Sequence, residues 1–138
     1  MPVLAGYVPS PEGNAALDAA IVEARLRNLD LIVINASRGA ARDDATFADD
    51  DTATALRQRL DSSGVPYRLL RSLSAREPAD EIVALAAEHD AALVVIGLRR
   101  RTPVGKLLLG STAQRILLDA GCPVLTVKPP SGPPPPEN

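Results

Sequence analysis

The stretch Ala91-Ala92-Leu93-Val94-Val95-Ile96-Gly97-Leu98 decides the fold. Its core, Ala92–Ile96, is too short for a typical helix, rich in β-branched residues, and apolar at successive positions instead of alternating ones. A strand of that kind has both faces buried, the condition of a parallel sheet covered by helices on either side. Two further runs share the pattern, Leu31–Ala36 and, after Pro123, Val124-Leu125-Thr126-Val127. Val3–Val8 and Tyr67–Arg71 complete five strand candidates.

Longer periodic segments separate these runs. Ser10 is a natural N-cap and Pro11 a natural first residue for a helix reaching about Asn28, with Ala16, Leu17, Ala20, Ile21, Ala24 and Leu26 near helical spacing. Further helices are expected over about Asp51–Ser62, Pro78–His89 and Ser111–Ala120. The polar, acidic stretch from Ser37 to Asp50 reads as loop. Alternating strands and helices predict an α/β domain: one open, five-stranded parallel sheet with helices on both faces. Ligands of such sheets bind beyond the carboxyl ends of the strands, where the strand order reverses. The loops after strands one, two and four are therefore the ones to inspect.

The composition agrees with one domain and narrows its role. The chain has 138 residues and 13 prolines, of which six lie in the final segment, PPSGPPPPEN. That segment, 129–138, reads as a proline-rich flexible tail, and 1–128 as the domain. The other seven prolines fall at element starts or in loops, where the missing N–H is tolerated. A net charge of −2 and 2% aromatic residues disfavour a nucleic-acid partner, which calls for a basic surface and stacking rings. No run approaches the roughly 20 apolar residues of a membrane helix, so no membrane partner is expected. One cysteine, Cys122, fits a reducing, cytoplasmic setting.

The loop after the fourth strand carries the chemistry. It runs from Gly97 through Arg99, Arg100 and Arg101 to Gly105-Lys106, Leu107-Leu108-Leu109 and Gly110-Ser111-Thr112. Glycines let backbone amides approach an anion, a helix N-terminus offers unpaired N–H groups, and hydroxyls and arginines add donors. These are the parts of a phosphate cradle, although a solvated basic loop before an ordinary capped helix would contain the same residues. Leu107–Leu109 is expected to turn helically. The spacing is neither that of a P-loop nor that of a dinucleotide fingerprint. His89, the one histidine, has no second ligand for zinc and falls at the amino end of strand four, away from the binding edge. The aspartates at 43, 44, 49, 50 and 51 lack the spacing, turn glycine and distal glutamate of a calcium loop.

Gly97, two residues, position 100, nine residues, then Gly110-Ser111, followed by Thr112-Ala113-Gln114-Arg115-Ile116-Leu117 and Cys122-Pro123-Val124-Leu125-Thr126-Val127, resembles the universal stress protein family. The resemblance spans about residues 2–128. It implies a Rossmann-like sheet of the adenine nucleotide alpha hydrolase type and a homodimer in which Val124, Leu125, Thr126 and Val127 pair antiparallel with their counterparts. It also implies an adenine-nucleotide site, for ATP with Mg²⁺ held through the phosphates, at Ile96, Gly97, Arg99, Arg100, Gly110, Ser111 and Thr112, with Ser10 and Ala36 near the base. The expected role is a stress-response sensor or adaptor and no enzyme, since no residue is placed to activate water. A nucleotide-free dimeric interaction module of the same family is the alternative. Two positions depart from the nucleotide-binding pattern: Arg100 replaces the middle glycine, and Val8 stands where an aspartate ends strand one.

Overall fold

The computed structural model describes residues 1–35, 50–71, 77–100 and 107–129. Their elements are β1 (Val3–Tyr7), α1 (Pro11–Arg27), β2 (Leu31–Asn35), α2 (Asp50–Ser63), β3 (Tyr67–Arg71), α3 (Pro78–Glu88), β4 (Leu93–Gly97), β5 (Arg99–Arg100), β6 (Leu107–Leu108), α4 (Ser111–Asp119) and β7 (Val124–Val127). Ala36, the acidic loop through Asp49 and most of the tail lie outside the described residues.

Local chemistry starts and stops these elements where prolines and caps allow. Ser10 Oγ accepts the Gly13 N–H at 3.0 Å and Pro11 occupies the first helical position, so α1 begins with one orphan donor satisfied. It ends at Asn28, which adopts the left-handed conformation at φ 57°. Pro78 likewise occupies the first position of α3, without the side-chain cap that Ser10 gives α1. Pro66 and Pro123 stand just ahead of strands and contribute carbonyls, which accept from Leu31 N and Val94 N at 2.9 and 3.0 Å.

Five strands pair in the order β3-β2-β1-β4-β7, every neighbour parallel. From β1 the chain steps outward to β2 and β3, then crosses to the other side of β1 for β4 and β7. The order therefore reverses between β1 and β4, and a crevice opens beyond their carboxyl ends. Alternate residues along the strands feed two cores. Val3, Ala5 and Tyr7 pack with Leu17, Ile21, Leu56 and Leu60 of α1 and α2. Leu4, Ile34, Val94 and Ile96 pack with Ile82 and Ala86 of α3 and Ala113 and Ile116 of α4. Both faces of β2 are covered, and all five of its residues are buried.

Two expectations are corrected. Leu107 and Leu108 do not turn helically; they form β6, antiparallel to β5, with Arg99 opposite Leu108 and Arg100 opposite Leu107. A short apolar run has no period that separates helix from strand, and here the returning chain satisfies its backbone groups across a hairpin. The Val124–Val127 strand is half-buried at every position, not enclosed, because β7 is the sheet's edge. A smaller shift also bears on the site: β4 extends to Gly97, which ends the strand and does not begin the loop.

Candidate functional site

Helices α1, α3 and α4 all begin at the carboxyl edge of the sheet, so three partial positive charges converge on the crevice between β1 and β4. The crevice is a cavity of about 620 Å³. Val8, Pro9 and Ser10 form its wall on the β1 side, and Ile96, Gly97 and Leu98 its wall on the β4 side. Gly110, Ser111, Thr112 and Ala113 close it from α4, and Pro78 and Ile82 from α3. The fold thus brings together six of the sequence-derived site residues: Ser10, Ile96, Gly97, Gly110, Ser111 and Thr112. Ala36 lies outside the described residues, as does 101–106; the backbone of Arg99 and Arg100 follows Leu98 directly, as β5.

The two flanking glycines differ in what they do. A methyl group on Gly97 would strike the backbone carbonyl of Glu12 and come within 3.0 Å of its Cβ. Glycine at 97 is therefore a packing requirement: it lets the first turn of α1 rest on the end of β4. Among the described residues a methyl group on Gly110 would meet nothing within 4 Å, and its φ is an ordinary −66°. No described residue requires a glycine there.

Gly110 caps α4 through its backbone, without a side-chain hydrogen bond, and its carbonyl accepts from Gln114 N at 2.9 Å. The amides of Ser111, Thr112 and Ala113 precede that first intrahelical bond, on residues that line the cavity. The side chains of Ser111 and Thr112 are exposed beside them. An anion suits this end of the cavity. At α1 the situation is the opposite, because the Ser10 hydroxyl is committed to the cap and also donates to the Val8 carbonyl at 3.4 Å.

Sequence reasoning missed Glu12, Gly13, Pro78 and Ile82. Gly13 carried a readable signal, a glycine in the first turn of a helix. Its missing side chain lets the Val8 carbonyl sit against α1; a methyl there would come within 2.8 Å of the Val8 carbonyl carbon. Pro78 and Ile82 reach the cavity through the crossover that places α3 over β1 and β4, which no local pattern encodes. Among the described residues, Glu12 is the one ionisable side chain on the cavity wall. Asp80 and Arg115 form an ion pair at 3.0 Å that ties the start of α3 to α4.

Other candidates stand apart from the crevice. His89 is the C-cap of α3, just ahead of the amino end of β4. Burial pushes the Cys122 thiol up, and the residue packs against the α3–α4 core. Among the described residues no group of three or more His, Cys, Asp or Glu is placed to hold a metal ion, and no helix is long and apolar enough to cross a membrane.

Comparison with known proteins agrees with this geometry. The model of the universal stress protein family matches residues 1–128. A universal stress protein of Mycolicibacterium smegmatis is 43% identical over 127 residues, covering 92% of this chain and 97% of that protein. The structure of the universal stress protein from Archaeoglobus fulgidus in complex with dAMP is 29% identical with a TM-score of 0.73, covering 93% of this chain and 98% of that one. A universal stress protein solved in complex with cAMP is 26% identical with a TM-score of 0.70, covering 94% and 98%.

Proposed function

This chain belongs to the universal stress protein family, and from that premise we propose that it binds an adenine nucleotide, ATP in the first instance, in the crevice between β1 and β4. The observation that carries the reading is the α4 amino end. Its leading amides lie on the cavity wall without a side-chain cap, beside a glycine that no described residue requires and two exposed hydroxyls. Phosphates placed there accept from Ser111, Thr112 and the backbone, with Arg99 and Arg100 supplying charge. Gly97 and Ile96 border the ribose, and Ser10 stands near the base. The dAMP and cAMP complexes of the related proteins support the ligand class. Mg²⁺ would be held through the phosphates and water, not by a protein cage.

The role is binding without turnover, as a cytoplasmic stress-response sensor or adaptor. Its domain is 1–128 and its tail 129–138. The open edge of β7 supports a homodimer in which Val124–Val127 pairs antiparallel with a second copy. One observation favours the rival reading, a nucleotide-free dimeric module: Val8 gives the cavity an apolar wall where nucleotide-binding relatives are expected to carry a carboxylate.

The readings separate on the purified protein. Denaturation releases an adenine nucleotide detectable by absorbance and chromatography, or the empty protein takes up ATP–Mg²⁺ with measurable heat. Release of nothing, together with no heat at millimolar ligand, overturns the nucleotide reading.

A further inference from the structure

We infer that a second cavity, on the opposite face of the sheet from the nucleotide crevice, binds a small organic carboxylate with an apolar body. Tyr7, Asn14 and Arg59 hold the carboxylate, and the assignment does not depend on the nucleotide reading. The cavity measures about 450 Å³ and lies between α1 and α2 at the carboxyl end of β1. Strand alternation separates it from the crevice: Gly6 and Val8 face one way, and Tyr7 faces the other, into the core beneath α1 and α2. The turn at Pro9 and Ser10 borders both.

A buried phenol is the group that points to a ligand. Tyr7 is only 6% exposed, yet it lines this cavity. Among the described residues its hydroxyl makes one hydrogen bond, donated to Asn14 Oδ1 at 3.4 Å. A well-formed O–H···O bond measures about 2.7–2.8 Å. The phenol is thus desolvated without a full-strength partner, a state that folded proteins rarely leave uncorrected. A ligand oxygen entering the cavity supplies that partner.

The neighbouring groups set the charge of the ligand. The Asn14 oxygen faces the phenol, so its amide presents the NH₂ group as a donor. Arg59 lines the same cavity from α2, and its charge is felt at the phenol. It pairs with Asp18 through Nη2, and a guanidinium has five N–H donors, more than that one carboxylate takes. Burial keeps the phenol protonated, so it donates as well. Three donors from β1, α1 and α2, beside the partial positive charge of the α1 amino end, call for an anion that only accepts. A carboxylate is such a group. Leu17, Leu56 and the rings of Pro9 and Pro11 offer an apolar lining for the rest of the molecule, which a bare inorganic anion would leave unfilled.

Benzoate is the probe, titrated into the full chain and followed by NMR. It shifts the side-chain amide of Asn14 and the ring of Tyr7 at roughly millimolar concentration, and benzyl alcohol, its uncharged counterpart, binds more weakly. Tyr7→Phe and Arg59→Gln each weaken benzoate roughly 10-fold or more, the loss of a hydrogen bond to a charged group. Urea melts establish that the variants are folded, and the exposed position of Arg59 secures at least the second. Four results overturn the assignment. They are no shift at tens of millimolar benzoate, shifts confined to the Ser111 and Thr112 amides of the crevice, variants with the parent's affinity, and benzyl alcohol bound as tightly as benzoate.

Discussion

The amide of Leu98 donates to the carbonyl of Val127 at 2.9 Å. Leu98 is on the cavity wall and Val127 ends the edge strand, so one hydrogen bond joins the site to the surface on which a second copy would pair. Gly97 opposite Val127 and Ile96 opposite Thr126 continue the same ladder. The candidate ligand site and the candidate dimer edge thus share the β4–β7 pair.

Gly110→Val separates binding from folding. Among the described residues nothing stands within 4 Å of the added Cβ, so the structural cost is the loss of a good N-cap residue, about 1 kcal/mol. Nucleotide affinity is expected to disappear, because the branched side chain occupies the approach to the α4 amides. Titration with ATP beside a denaturant melt checks both halves. Unchanged affinity would place the anionic end of the ligand elsewhere.

Gly97→Ala has the reverse signature. Its methyl group meets backbone atoms of Glu12, which cannot rotate away as a side-chain tip can. Overpacking of this kind costs about 1–3 kcal/mol. Urea unfolding without ligand is expected to show that loss, and a midpoint equal to the parent's would contradict the packing role given to Gly97.

Thr126→Pro addresses the edge. The carbonyls of Pro123 and Val127 face β4, so the alternation of the strand turns the Thr126 N–H toward the open side. Proline removes that donor while sparing the β4 ladder, a substitution edge strands tolerate. Light scattering is expected to report a monomer for the variant and a dimer for the parent; a dimeric variant would exclude pairing through this edge.

Alkaline pH is expected to weaken the fold through Tyr7. Burial holds its phenol above the usual value of 10.0, partly offset by the nearby Arg59 guanidinium. The folded state therefore keeps a proton that the unfolded state releases first. The stabilisation is complete below the unfolded value and declines as pH rises from there through the folded one. Tyr7→Phe is expected to lose less stability than the parent between about pH 8 and about pH 11 in urea melts. Tyr67, raised chiefly by its hydrogen bond to Asp61, titrates in both proteins, so the difference between them isolates Tyr7. Equal losses would remove Tyr7 as the cause.

The elements were legible from local pattern. Ser10-Pro11 specifies a helix start through a cap and a preset φ, and the apolar runs at 31–36 and 92–96 specify buried strands through the absence of a polar face. The proposed anion end of the site is likewise local: Gly110, Ser111 and Thr112 are consecutive, and all three line the cavity. Leu107-Leu108 was misread because three adjacent leucines satisfy a helix and a hairpin equally.

By itself the sequence determined the five strands of the sheet and the four helices, and which residues would start the last helix, since capping, proline geometry and hydrophobic period act over a few neighbouring residues. Tertiary structure alone decided that Glu12 lies against Gly97, that Pro78 and Ile82 wall the cavity, and that β7 is an edge. Those facts depend on which strand sits beside which. A hydrophobic face states that a segment is covered and leaves open what covers it. The crossover from β3 to β4 supplies that information by placing distant residues around one crevice.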